Sequence, residues 1–236
     1  MLPLKDDVPS HSTPLVTVGL IAANVLVFFY QASLQLSGDP GALRAAQDFI
    51  FEFGAIPCRI TGECVQADHP QAMVTVLTSM FVHGGLFHVG GNMLYLWIFG
   101  DNVEDTLGHL RFLGFYLASG VAAALAQTAV YPSSTIPMVG ASGAVSGVLG
   151  AYLLLFPYAS IWTLVAFGFF IRFVQLPAIL VLGFWIVVQL FSGYITWGNA
   201  VGPGAGGGVA WFAHIGGFLA GMVLLFVLRT RRHGRL

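Results

Sequence analysis

Charge is what this chain has least of. Only 8% of its 236 residues are Asp, Glu, Lys or Arg, against about 25% in an ordinary soluble domain. With 57% hydrophobic residues and a mean hydropathy of +0.83, that scarcity excludes a soluble globular chain. It leaves one polytopic membrane domain without a sizeable soluble part. A net charge of −1 with no basic stripe argues against nucleic acid as a partner. No cleavable signal peptide is expected, because the first fourteen residues are polar and carry Lys5, Asp6 and Asp7. Cysteine is almost missing: Cys58 and Cys64 stand alone in the longest polar stretch. A disulfide there requires an oxidising space, two free thiols fit equally, and a metal site wants more ligands nearby. A His-Glu-x-x-His pattern is also lacking, so the helical zinc-protease arrangement with its general-base Glu is not expected. No metal and no other cofactor is called for.

What the chain does have is apolar runs close to the roughly 20 residues that a spanning helix needs. The first span is read from Pro14 to about Leu36, the second from about Leu86 to Phe99, and the third from about Phe112 to Val130. The fourth opens at Ser142 and reaches about Phe156. The apolar stretch from Ala159 to Tyr194 is too long for one crossing. Arg172 and Pro177 divide it into an interfacial piece near Ile161–Phe173 and a fifth span at about Ala178–Phe191. A glycine-rich loop at Gly202–Gly208 precedes the sixth span, Val209–Leu228. The loop from Ser37 to about Thr78 mixes acidic residues with Phe49, Phe51 and Phe53, which suits a segment folded onto the membrane interface. The expected fold class is therefore an all-α polytopic membrane protein with six spans. Its parts are an N-terminal segment 1–13, a six-span domain 14–228 and a basic tail 229–236.

Lys and Arg placement orients these spans. Lys5, Arg111, Arg172, Arg229, Arg231, Arg232 and Arg235 fall on one side, and only Arg44 and Arg59 on the other. Both termini are expected in the cytoplasm.

Ionisable and strongly polar groups inside spans are costly and usually functional. In Gly140-Ala141-Ser142-Gly143-Ala144-Val145-Ser146-Gly147-Val148-Leu149-Gly150 the glycines share one helical face, the kind that lets a second helix approach closely. Ser142 lies at its start among small neighbours. The bland alternative is a packing face on which Ser142 and Ser146 bond back to their own helix. In the second span His88 and Asn92 are four residues apart, so both project from one helix face. Their side chains offer neutral N–H donors, as an acyl-transfer oxyanion requires, although two such residues also simply cross-link helices. His83, just before the span, reads as a structural tie. In the sixth span Ala213, Gly217 and Gly221 form another small face with His214 at its edge. Spans four and six run parallel and start on the same side, so Ser142 and His214 lie at matching depth. A hydroxyl becomes nucleophilic when an adjacent base takes its proton. Ser142, His214, His88 and Asn92 thus supply nucleophile, base and oxyanion donors, with no carboxylate in the spans as a third member.

These residues resemble the rhomboid family of intramembrane serine proteases. The resemblance rests on Gly140-Ala141-Ser142-Gly143, on His88 and Asn92 with His83 upstream, and on Ala213-His214 followed by Gly217 and Gly221. It implies a six-transmembrane-helix bundle with a water-accessible active site below the outer surface. Ser142 would be the nucleophile and His214 the base, with the oxyanion held by His88, Asn92 and the Ser142 backbone N–H. His83, Gly140, Gly143, Gly217 and Gly221 would support the site. The substrates implied are single-span membrane proteins, cut in or near the outer end of their span. Membrane lipid is the other partner, and a bacterial inner membrane the expected location. The first loop would lie partly in the outer leaflet, and the glycine-rich loop before span six would act as a movable cap.

Two positions depart from the family pattern. Val74-Thr75 stands where many bacterial relatives carry Trp-Arg, and Ser146 where some carry a Tyr stacked on the catalytic imidazole. Rival readings are a non-proteolytic rhomboid-like protein that binds or escorts membrane proteins, a transporter or channel, and a metalloprotease built on the three histidines.

Overall fold

The long apolar runs become helices because a backbone crossing lipid must satisfy its hydrogen bonds within itself. A computed structural model describes residues 1–35, 41–64, 70–167, 170–198 and 208–229. The long helices are α1 (Leu15–Gln35), α5 (Leu86–Leu107), α6 (His109–Val130), α8 (Ala178–Gly198) and α9 (Trp211–Leu228). Three short helices fill the first loop: α2 (Ala42–Phe53), α3 (Pro57–Thr61) and α4 (Ala72–Thr78). Helix α7 (Ser142–Leu155) is only 14 residues long. Among the described residues, α1, α6, α8 and α9 are long and apolar enough to cross a membrane on their own composition. The expected cap at Gly202–Gly208 falls on 199–207, outside the described residues except for Gly208, and the tail 230–236 lies outside them too.

The fold is mostly helical, as expected, with one small sheet that the sequence reading did not include. The segment read as an interfacial piece is a hairpin, β2 (Ser160–Phe167) with β3 (Phe170–Pro177), and Leu2–Lys5 adds a strand, β1. The order is β1-β2-β3, antiparallel throughout, with Leu2 opposite Leu164 and Leu164 opposite Phe173. Ile, Val, Trp and Phe favour such pleated, half-buried strands. Pro3, Ile161 and Thr163 are buried, while Trp162, Ile171 and Phe173 are exposed.

The acidic stretch after Phe99 forms the end of α5, which runs to Leu107. Its carboxylates have partners. Glu104, fully buried, accepts from the backbone N–H groups of Val16 (2.9 Å) and Thr17 (2.8 Å) and from the Thr17 hydroxyl (2.7 Å). It therefore caps the start of α1 from another helix, satisfying donors that a helix N-terminus leaves open. His109 Nδ1 lies 2.6 Å from the same carboxylate. Gly108, at φ +79°, makes the left-handed turn from α5 into α6 that favours glycine.

The N-terminal segment is laced to the same end of the bundle. Asp6 accepts from the Tyr152 hydroxyl (2.6 Å), Asp7 from the Ser160 N–H (2.8 Å), and the Val8 carbonyl from Asn102 Nδ2 (3.2 Å). Ser12 donates to Asp105 at 2.5 Å. The core between these helices is aromatic: Phe99, Phe112, Phe115, Tyr116 and Tyr152 are all fully buried.

Candidate active site

Ser142 is the first residue of α7, and what precedes it fixes its position. Gly140 has φ +115°, and a Cβ there would come within 2.6 Å of His88 Nε2. Only glycine gives this turn together with room for the imidazole. The Gly140 N–H donates to the Ser79 carbonyl (2.8 Å), and the Ala141 N–H to His83 Nε2 (3.3 Å). His83 is completely buried, and Gln31 of α1 brackets its backbone, donating to the carbonyl at 2.7 Å and accepting from the N–H at 3.3 Å. The histidine thus ties α1 and the entry to α5 to the turn that holds the serine.

Helix α9 reaches α7 along the two small faces. A Cβ on Gly217 would land on the Gly143 carbonyl, one on Gly221 on the Gly147 carbonyl, and one on Gly143 against Ala123 of α6. Backbones this close require residues without side chains at the seam. At its outer end His214 Nε2 lies 2.8 Å from Ser142 Oγ. The bland reading of the serines holds for Ser146 alone, whose hydroxyl donates to the Ser142 carbonyl (2.6 Å).

The donors gather on the other side of Ser142. His88 Nδ1 accepts from the Gly84 N–H (3.3 Å), which leaves Nε2 as the protonated nitrogen, beside Gly140. Asn92 is 8% exposed, and its buried Nδ2 has no partner. A buried donor left open is costly unless something fills it. A cleft of about 180 Å³ is lined by Gly84, His88, Gln127, Ser142, Val209 and His214, among others.

The first loop forms one wall. Ala55 and Met138 exchange backbone hydrogen bonds (3.0 and 2.7 Å), and Cys58 N–H donates to the Ser134 carbonyl (3.0 Å). Cys58 and Cys64 are disulfide-bonded, so the free-thiol reading falls. Arg59 donates to the Phe51 carbonyl (2.8 Å), and Thr78 to the Phe53 carbonyl (2.8 Å). These bonds anchor the loop where Val74-Thr75 replaces Trp-Arg; Thr75 itself is buried in α4. The imidazole of His214 is likewise held without a Tyr on α7. Trp185 of α8 lies against it (ring centroids 5.9 Å, planes 36° apart), with Trp211 edge-on. Gln189 Oε1 lies 2.8 Å from its Nδ1. The sequence reading passed over Gln189, although an amide in the middle of an apolar helix is itself a signal.

Membrane-length helices surround a cleft where a serine hydroxyl meets an imidazole, and the chain is an integral membrane protein. Its family follows from comparison with known proteins. Residues 70–231 match the Rhomboid domain, and the chain belongs to the rhomboid family. It is 31% identical over 164 residues to the mitochondrial Rhomboid protein 1 of Saccharomyces cerevisiae, 67% of this chain and 43% of that protein. It is 33% identical over 163 residues to RHOMBOID-like protein 1 of Arabidopsis thaliana, 69% of this chain and 36% of that one. Over 78 residues it is 42% identical to the rhomboid protease GluP of Bacillus subtilis, 33% of this chain and 15% of the relative. The chain thus spans less than half the length of these relatives.

Proposed function

We propose that this chain is an intramembrane serine endopeptidase that cuts single-span membrane proteins in or near the outer end of their transmembrane segment. The observation that carries this reading is the 2.8 Å contact between Ser142 Oγ and His214 Nε2 in a cleft that His88 also lines. Family membership supports it.

In this reading His214 Nε2 takes the Ser142 proton as Oγ attacks the scissile carbonyl. The tetrahedral oxyanion is held by His88 Nε2–H, Asn92 Nδ2–H and the Ser142 backbone N–H. Collapse breaks the C–N bond, and the proton on Nε2 passes to the leaving amine. A water then attacks the acyl-enzyme by the same route in reverse. The 14 residues of α7 span about 21 Å at 1.5 Å per residue. Against a hydrocarbon core about 30 Å thick, with the Leu155 end at the cytoplasmic surface, Ser142 lies below the outer one. Water reaches it through the cleft. A substrate helix must unwind to expose a carbonyl there, so small helix-breaking residues near the cut are favoured.

The spans in this reading are α1, α5, α6, α7, α8 and α9, within a domain covering 14–228. Pairing of β1 with β2 requires residues 2–5 and 160–167 to share a side, as four crossings between them provide. Lys and Arg put that side in the cytoplasm. The Cys58–Cys64 disulfide then faces outward, as suits the oxidising side of a bacterial inner membrane.

The test compares wild type, Ser142→Ala and His214→Ala in liposomes with a labelled single-span substrate, with and without chelator. Cleavage lost in both variants and indifferent to chelator is expected. Cleavage unchanged in Ser142→Ala overturns the assignment.

A further inference from the structure

Gln189 is the residue nearest the reaction that this mechanism has not used. It lies on α8, 5% exposed, on a helix that is otherwise almost wholly apolar. Both ends of its amide are committed. Nε2 donates to the Trp185 carbonyl one turn earlier (3.3 Å), which turns Oε1 towards His214 Nδ1 at 2.8 Å. A carbonyl oxygen only accepts, so the proton of this bond belongs to Nδ1. A neutral imidazole with its proton on Nδ1 has a lone pair on Nε2, the atom 2.8 Å from Ser142 Oγ.

We infer that Gln189 is a positioning residue for His214, fixing the tautomer in which Nε2 accepts the Ser142 proton. The inference rests on the Ser142–His214 reading and names a third member of that site, carried by a third helix. Nothing on α7 does this task, because Ser146 Oγ is bonded to the Ser142 carbonyl. Trp185 and Trp211 confine the ring by contact, but an aromatic face does not choose between nitrogens. The amide oxygen does. It occupies the place that a carboxylate fills in Ser-His-Asp sites, where that group holds the tautomer and stabilises the imidazolium. A neutral amide holds the tautomer without placing a buried charge in the membrane, at the cost of weaker support for the imidazolium.

A packing role and a positioning role separate on a shape-conserving change. Gln189→Met keeps the volume and removes the acceptor; Gln189→Glu keeps an acceptor at the same reach. In liposomes, Gln189→Met should lower kcat by about 10–100-fold, the range for one hydrogen bond to a charged partner. KM should stay within about twofold, since the loss falls in the transition state. Gln189→Glu should retain at least tenfold more activity than Gln189→Met, because it keeps an acceptor for the imidazole N–H. Imidazole nitrogen chemical shifts, assigned to His214 by difference from His214→Ala, should report Nδ1 protonated in wild type and a mixture in Gln189→Met. That spectrum needs no proteolysis, so it tests the inference even if Ser142→Ala shows that the protease reading is wrong. Should Gln189→Met unfold, the wild-type spectrum still decides. Wild-type kcat in Gln189→Met, or a wild-type His214 protonated on Nε2, overturns the inference.

Discussion

At the scale of single residues, the site depends on one atom's worth of space beside Ser142. A methyl group on Gly140 would meet the His88 ring and strain a backbone at φ +115°. Gly140→Ala is therefore expected to displace His88 and reduce kcat much more than it lowers the melting temperature, a contrast read by pairing kinetics with thermal unfolding. Asn92 tests the same hole from the other side. Its buried Nδ2 has no partner, so Asn92→Ala removes a donor and leaves no bond broken at rest. A loss of about 10²–10³ in kcat with little change in stability is expected. The four chemical groups were legible in the sequence because each is a polar residue on a small-faced or closely spaced motif. Gln189 was not, because no spacing links position 189 to 214; only the packing of α8 on α9 does.

At the scale of elements, one carboxylate holds the start of a membrane helix. Glu104 receives three hydrogen bonds from Val16 and Thr17, 88 and 87 positions away in sequence. Glu104→Ala leaves buried donors at the head of α1 and should destabilise the bundle by about 2–4 kcal/mol. Glu104→Gln, which keeps an accepting oxygen, should cost less; unfolding in mild detergent orders the three proteins. The acidic stretch was visible in the sequence as a helix end or loop, but the partners of Glu104 were not, since they lie far away in the chain. The hairpin was hidden for a different reason. Between two spans, Ile161-Trp162-Thr163-Leu164-Val165 reads simply as more apolar sequence, and short apolar runs do not distinguish strand from helix. The long helices, in contrast, were legible because lipid permits few other backbone solutions.

At the scale of the whole molecule, the first dozen residues are part of the structure although their composition reads as a polar lead-in. Burial pushes the Asp6 carboxyl above its ordinary pKa of 3.8, only partly opposed by the Tyr152 hydroxyl that bonds to it. A carboxylate whose folded pKa is raised favours the fold when protonated, and that contribution fades as pH rises from 3.8 through the raised value. Asp6→Asn keeps an acceptor for Tyr152 without the charge. It should therefore be at least as stable as wild type at neutral pH, and its advantage should vanish in acid, as melting temperatures across pH will show.

The strand pairing of this segment also sets a schedule for biogenesis. Leu2–Lys5 leaves the ribosome long before its partner, because Leu2 pairs with Leu164. At about 5–20 residues per second, roughly 8–30 s of synthesis separates the two. During that interval the first strand has no sheet to join, and α1, α5, α6 and α7 emerge ahead of the hairpin. Closure of the sheet can only follow the arrival of all four, so it is a late event that locks helices already made.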